Sequence, residues 1–336
     1  MKLFVIPNDP YKNYIIKGEV KPRYFNPDTF FTKVYVLNYN LNKAKLFDEL
    51  YIGDKTFLID FKKLYPIYRP ILFIRNILIL RKFLIQNNIK VLRSYNSNLQ
   101  GFYCFVLSRL TNIPYVISNH IDNDEFRKIF SKKFKYKIYN FISKNIYEKL
   151  SLKNAHKIIN VTKYLNKYSK KYRGNLDNTK VIYNKVYSNM FFNRRKEINN
   201  KNIRCIFVGK INDQKDPFLL IDVVHKLKNL KLVIIGNGER FEELNKKILS
   251  NNLHKRVELI KSVPNKDIHH YYKKSDILLM STNTEGFCIP ILEGLASGLI
   301  VISNNIPPIK EIISDCGILV DKNMNSYLNA LKKVMN

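Results

Sequence analysis

Glu285 and Glu293 stand eight residues apart in NTEGFCIPILEG, with glycine and proline between them, after the apolar run DILLM and ahead of the helical pattern PILEGLASG. Pro290 suits a first helical position, where its missing N–H costs nothing. A strand, a glycine-bearing loop and a helix N-terminus make an anion site, because unpaired N–H groups and the helix dipole both favour negative charge there. Gly286 lets backbone approach a ligand closely. Carboxylates in that place would repel a phosphate, so they must point past it, toward hydroxyls that donate hydrogen bonds. A sugar on each side of a diphosphate satisfies that geometry, with Glu293 at a ribose and Glu285 at a transferred hexose. The alternative is that Glu285 caps the helix and Glu293 is a solvated helix charge.

A second chemical element is basic. After IRCIFVG comes KINDQKDP, which sets Gly209, Lys210 and Lys215 in a loop that opens the next helix. Two lysines beside a strand-end glycine can clamp a diphosphate, acting as point charges. IIGNGERF carries Gly236 and Gly238 after a strand, but Phe241 replaces the third glycine of a dinucleotide fingerprint, so the stretch reads as a tight turn into a helix. Asp122 and Asp124 form a D-x-D beyond an apolar strand. Asp122 and Asn123 fall where a helix wants an N-cap, with Glu125 favourable in the first turn, and no required metal is expected. Cys104, Cys205, Cys288 and Cys316 are scattered without C-x-x-C spacing, which argues against a zinc site or disulfide framework and reads as reduced thiols in a cytoplasmic protein.

These residues need a frame. Short runs rich in Val, Ile and Tyr alternate with longer helical patterns, the rhythm of parallel α/β structure. Strands are expected near 2–6, 33–37, 90–94, 114–118, 157–161 and 179–183, and again near 203–208, 231–235, 256–260, 276–280, 299–303 and 317–320. Helices are expected near 70–88, 99–111, 126–150 and 162–172. The polar stretch 189–202 reads as a linker between domains at 1–188 and 203–336. Two doubly wound domains would then face each other across a cleft, with ligands at the carboxyl ends of the strands.

At 336 residues and 46% apolar composition the chain can build two real cores and is not a disordered polymer. Its net charge of +31 is uneven: residues 1–200 hold 38 Lys+Arg against 13 Asp+Glu, and residues 201–336 hold 20 against 14. Such a field attracts phosphate-rich partners, whether nucleic acid, anionic lipid or phosphorylated substrate. Codon bias of an AT-rich genome, which also fits the absence of Trp, accounts for part of the excess. MKLFVIPNDP is too short an apolar run for a signal peptide, and PILFIRNILILRKFLI is interrupted by Arg75, Arg81 and Lys82, short of a clean membrane span. Phe126, Phe130, Phe134, Ile138, Phe141, Ile142 and Ile146 recur at helical spacing among lysines. That stripe is expected to pack on the sheet, leaving lysines free for an anionic membrane surface.

In order, VGKINDQKDPFLLID, LVIIGNGERFEEL, YYKKSDILLMSTNTEGFCIPILEGLASGLIVISNNIPPIKEII and CGILV resemble the nucleotide-sugar half of the retaining GT-B glycosyltransferases of family four, and the two glutamates fit that family's E-x7-E motif. More faintly, VLRSYNSNLQGFYCFVLSRLTNIPYVISNHIDNDEFR is similar to the segment in which a strand ends on His, making His120 the counterpart of a donor-sugar contact. The resemblance implies a GT-B architecture of two Rossmann-like domains. It implies that Lys210, where the family usually has Arg, and Lys215 stabilise a donor diphosphate beside Gly209. Glu293 would bind ribose, Glu285 would contact the donor sugar, and the Gly286–Phe287 backbone would lie near the phosphates. The family's Gly-Gly loop after the first strand is replaced here by a segment with only Gly18, leaving Lys17, Gly18 and Arg23 as acceptor-side candidates. The chain also ends at Asn336 after one short helix, where family members commonly add a long helix crossing back.

The expected activity is transfer of a hexose from a nucleotide-diphosphate sugar to a lipid-linked or polysaccharide acceptor, with retention of configuration and no obligatory cofactor. It would occur in the cytoplasm, at the inner membrane face if the basic half docks there. A nucleotide-sugar epimerase, a phosphorylase and a nucleic-acid-binding protein are the competing readings. The last lacks a helix-turn-helix, zinc or aromatic RNA-binding signature, so no nucleic-acid partner is expected.

Overall fold

The structure is a computed structural model and describes residues 1–16, 24–41, 46–130, 137–186, 188–192 and 202–335. The chain divides into two compact units, Met1–Asp124 with Ser131–Ile182 and Glu125–Phe130 with Tyr183–Asn336.

In the first unit, β1 (Lys2–Ile6), β2 (Lys33–Asn38), β3 (Glu49–Gly53), β4 (Thr56–Asp60), β5 (Val91–Ser94), β6 (Tyr115–Asn119), β7 (Lys157–Asn160) and β8 (Thr179–Val181) form one sheet in the order β3-β4-β2-β1-β5-β6-β7-β8. Every neighbour pair is parallel except β3–β4. Its helices are α1 (Tyr11–Ile16), α2 (Pro70–Gln86), α3 (Leu99–Thr111), α5 (Lys137–Ile142), α6 (Lys149–Asn154) and α7 (Leu165–Arg173), while α4 (Asn123–Phe130) starts here and belongs to the second unit from Glu125 onward. Phe4 and Ile6 join one apolar cluster while Leu3 and Val5 join another. Both faces of β1 are therefore covered, which is why its sequence is continuously apolar.

Two features depart from expectation. The sequence gives no strand between 33–37 and 90–94, yet β3 and β4 form a hairpin there, and β4 adds the parallel neighbour of β2. Asp54 and Lys55 turn it with positive φ, 48° and 58°, the backbone of a two-residue type I′ turn without the usual Asn-Gly. The helix expected over 126–150 is not a plain α-helix: its described residues are helical at 126–130 and from 137 onward, but a π-helical turn at Ser143–Glu148 leads into α6, and 131–136 lie outside the described residues. Its apolar stripe does not all face inward, since Ile138 and Phe141 are exposed.

In the second unit, β9 (Ile203–Val208), β10 (Leu230–Ile235), β11 (Val257–Ile260), β12 (Ile277–Met280), β13 (Ile300–Asn304) and β14 (Ile318–Val320) form an all-parallel sheet in the order β11-β10-β9-β12-β13-β14. Around it lie α8 (Ser188–Phe191), α9 (Phe218–Lys226), α10 (Phe241–Ser250), α11 (Ile268–Lys274), α12 (Ile289–Ala296), α13 (Pro307–Ile313) and α14 (Met324–Met335). Most of the linker expected at 189–202 lies outside the described residues, but Phe191 is fully buried in this unit's core. The strand order runs outward in both directions from β9 and β12. That reversal is the switch point of a doubly wound sheet, where the loops leaving two neighbouring strands diverge and open a crevice at their carboxyl ends.

Candidate functional site

The loops leaving β9 and β12 carry the lysines and glutamates that the sequence singles out. The β9 loop is held on both sides. Toward β10, Gly209 N–H donates to the Ile235 carbonyl and Ile211 N–H to that of Asn237, each at 3.0 Å. A Cβ at Gly236 would lie 1.8 Å from the Gly209 carbonyl oxygen, and one at Gly238 would lie 2.2 Å from that of Ile211. Glycine is required at both positions because the two loops touch backbone to backbone, which is the purpose of the Gly-Asn-Gly turn.

Toward β12, the Gln214 carbonyl accepts the Asn283 N–H at 2.6 Å and the Thr282 hydroxyl at 2.9 Å. Gln214 Nε2 donates to the Thr284 carbonyl at 3.0 Å. Asn283 Nδ2 donates to the Asp213 carbonyl at 2.7 Å, and Lys322 Nζ joins Asp216 Oδ2 to Asn283 Oδ1, both at 2.6 Å. None of Asn212, Gln214, Asn283 and Lys322 was legible as a site residue, because their task is to hold backbone rather than a ligand. The Asn-Asp pair after Ile211 is a turn signal that could have found Asn212. Its buried side chain accepts the Lys215 N–H at 3.0 Å and fixes where that lysine leaves the chain.

Lys215 then forms an ion pair with Glu285 across the two loops. Its side chain is 14% exposed and that of Glu285 6%. Burial works against the ammonium, but the facing carboxylate and its hydrogen bond outweigh it and hold the pKa of Lys215 above the ordinary value. The neighbouring Cys288 is the opposite case: burial pushes its thiol up to about 12, so it stays protonated at neutral pH. That thiol feels Lys215, Glu285 and Glu293 together, which places all three around one spot.

Glu293, in α12, is buried and accepts a hydrogen bond from the Tyr272 hydroxyl at 2.9 Å. Burial first, then the Glu293 charge, raises the phenol well above its usual pKa and keeps it a donor. Neither glutamate is a solvated charge, and Glu285 makes an ion pair rather than a helix cap. Gly286 and Phe287 are buried beside them, Cys288 adopts positive φ (46°), and Pro290 is the second residue of α12. Lys210 is exposed, whereas Gly209 lies against the Lys215 side chain closely enough that a Cβ would meet it at 3.5 Å. The structure thus brings Gly209, Lys215, Glu285, Gly286, Phe287 and Glu293 to one end of the β9–β12 pair.

In the first unit, His120 follows β6 and lies next to Tyr95, with ring centroids 5.7 Å apart. The surrounding protein and the Arg93 guanidinium lower its pKa to about 4. The ring lies at the protein surface, and the neighbouring Arg93 cation favours its neutral form. Asp122 Oδ1 accepts the Asp124 N–H at 2.8 Å, the N-cap geometry expected of the D-x-D. Asp124 turns to Lys171 and to the Tyr172 hydroxyl.

Below that loop a buried network escaped the sequence reading. Glu148 accepts from the Tyr168 hydroxyl at 2.6 Å and from Ser143 at 2.8 Å, and Tyr168 also meets Ser97 and Asn123. It ties the β5 and β6 loops together. Lys17, Gly18 and Arg23 lie outside the described residues. Among the described residues no three His, Cys, Asp or Glu side chains are grouped to hold a metal ion.

Residues 189–336 match the model of the family described as glycosyl transferases group 1. An uncharacterised glycosyltransferase of Methanocaldococcus jannaschii is 27% identical over 239 residues, 70% of this chain and 62% of that protein. The amylovoran biosynthesis glycosyltransferase AmsD of Erwinia amylovora is 33% identical over 134 residues, 39% of this chain and 37% of that one. The chain spans less than two thirds of the length of these curated relatives. The crystal structure of Anabaena HepE in complex with UDP matches with a TM-score of 0.70 at 13% identity, covering 99% of this chain and 89% of that one. The fold is the GT-B architecture.

Proposed function

We propose that this chain, whose residues 189–336 match the glycosyl transferases group 1 family model, is a member of that family and moves a hexose from a nucleotide-diphosphate sugar to a lipid-linked or polysaccharide acceptor with retention of configuration. The observation that carries the reading is the buried Lys215–Glu285 pair at the carboxyl ends of β9 and β12, set against the glycine-bearing start of α12. A diphosphate seated there meets one buried ammonium, the exposed Lys210 and the amides of Gly286 and Phe287. The UDP bound to HepE, a protein of the same fold, and the amylovoran role of AmsD support the substrate classes.

In the proposed reaction the bond between sugar C1 and the diphosphate oxygen breaks, and its electron pair leaves with the nucleotide. Lys215, Lys210 and the two amides stabilise the charge gathering on that oxygen, each worth about 3 kcal/mol by analogy with single oxyanion donors. The acceptor hydroxyl bonds to C1 from the same face and gives its proton to the departing phosphate, which preserves the anomeric configuration. Glu285 receives hydroxyl hydrogen bonds of the sugar and Glu293 those of the ribose.

A thermal-shift screen against UDP-, GDP- and ADP-sugars tests the donor class. A donor at about 100 Kd adds roughly 2.7 kcal/mol to the folded state. That corresponds to a rise of roughly 5–10 °C for a unit of this size. No shift with any of the three defeats the reading. A shift followed by conversion of labelled donor without acceptor would make the protein an epimerase, and an inverted anomeric carbon in the product would remove the same-face step.

A further inference from the structure

α2 has two apolar faces and the unit uses one of them. Ile77, Leu80, Phe83 and Leu84 are buried against the sheet. On the other side Ile71, Ile74, Leu78 and Ile85 are 81%, 55%, 57% and 54% exposed. Their spacing puts them on one helical stripe, with Arg81 between Leu78 and Ile85 and with Arg75 and Lys82 along one flank. Single exposed apolar residues are unremarkable, but a contiguous stripe on one helix marks an interaction surface. Arg81 Nε donates to the Leu110 carbonyl at 3.3 Å, and Leu110, itself 47% exposed, extends the apolar area onto α3.

The charge around the stripe selects its partner. From Phe61 to Ile121 the chain has nine Lys+Arg and no Asp or Glu. A second copy would bring two such cationic faces together, which is repulsive. Anionic lipid headgroups complement the field while acyl chains receive the isoleucines, and Arg75, Arg81 and Lys82 can extend their stems to the headgroups. We propose that α2 docks this protein on an anionic bilayer, lying in the membrane plane with Ile71, Ile74, Leu78 and Ile85 inserted below the headgroups. At 17 residues the helix is about 25 Å long and its other face is committed to the core, so it lies on the membrane rather than crossing it. Sequence points to the lysines flanking the stripe at 126–150 as a docking face, and among the described residues of that stripe Ile138 and Phe141 are exposed. α5 is linked to the segment before α2 through Tyr147, whose hydroxyl accepts the Ile67 N–H at 3.0 Å and whose ring lies 6.4 Å from that of Tyr139. The inference does not depend on the transfer reaction proposed above.

The test is co-sedimentation of the full chain with phosphatidylcholine vesicles, with and without phosphatidylglycerol. Wild type is expected to sediment with the anionic vesicles only. Arg75→Gln with Lys82→Gln should weaken binding roughly 30-fold, from about 1 kcal/mol per cation. Ile74→Glu with Leu78→Glu should weaken it by more than about tenfold, because methylenes no longer enter the bilayer. These positions face solvent, so unchanged circular dichroism and Tm confirm folding. The chain has no Trp, so Leu78→Trp supplies a sole indole whose emission should shift to the blue on anionic vesicles. Full binding by Ile74→Glu/Leu78→Glu, an unshifted indole, or a dimer in solution abolished by the same double substitution would overturn the proposal. Equal binding to neutral vesicles would overturn its electrostatic part.

Discussion

Removing the charge of Lys215 alone is expected to damage the protein more than removing both members of its ion pair. The side chains are 14% and 6% exposed, so either charge left by itself would sit in a poorly solvated place. Breaking such a pair from one side costs about 3–5 kcal/mol, whereas replacing both partners by groups of similar volume is close to neutral. For a unit of this size each kcal/mol moves Tm by roughly 2–4 °C. Lys215→Met should therefore lower the melting temperature by roughly 6–20 °C, and the double variant Lys215→Met/Glu285→Gln should recover most of that loss through a coupling of about 2–3 kcal/mol. Donor turnover should be lost in both, since neither retains the ammonium that the diphosphate needs. Thermal unfolding by circular dichroism and product formation from labelled nucleotide sugar measure the two effects separately. Additive losses of Tm would show that the pair is not buried as described, and turnover in the double variant would show that Lys215 does not serve the leaving group. The pair has an alkaline limit as well. Because the folded pKa of Lys215 is raised above 10.5, its contribution is fully present below that value and is lost as pH rises through the folded pKa. The stability difference between wild type and Lys215→Met should shrink at strongly alkaline pH.

Gly238→Ala would place a methyl 2.2 Å from the Ile211 carbonyl oxygen, so the β9 loop must move; a loss of about 1–3 kcal/mol in denaturant unfolding and a weaker thermal shift with donor are expected. Tyr272→Phe removes a hydrogen bond to a buried carboxylate, and a loss of about 1.5–3 kcal/mol in the same unfolding experiment is the expected outcome. Asp122→Ala should lower stability by about 1 kcal/mol through loss of the α4 cap, with no difference from wild type in the response to added manganese or chelator. The lowered pKa of His120 means that the unfolded chain takes up its proton first as pH falls, so its contribution is present above about 6.5 and is lost toward 4. An NMR titration of the His120 ring should show no step between 6 and 8; a midpoint at 6.5 would refute the electrostatic account of that loop.

Much of the frame was legible because doubly buried parallel strands are written as uninterrupted apolar runs, and all six strands of the second unit begin and end within one residue of the positions expected from them. β3 and β4 were not legible. Glu49–Gly53 is mostly exposed, its apolar run Leu50–Ile52 is only three residues long, and its turn uses Asp-Lys instead of a glycine-marked pair. Spacing and residue type also brought Gly209, Lys210, Lys215, Glu285 and Glu293 forward as candidates, and the family resemblance joined them into one constellation.

Sequence could not pair Lys215 with Glu285, which are 70 positions apart and meet only because β9 and β12 are neighbours in the sheet. Nor could it tell an inward stripe from an outward one. The periodicity of α2 and of 126–150 reports that apolar side chains share a face, while the neighbours that cover that face belong to distant segments. By itself the sequence determined most of the parallel strands, the long helices and which side chains could do chemistry, since those follow from local backbone preference and residue type. The tertiary structure alone decided which charges are buried against each other and which apolar face is left open, because burial depends on contacts between residues far apart along the chain.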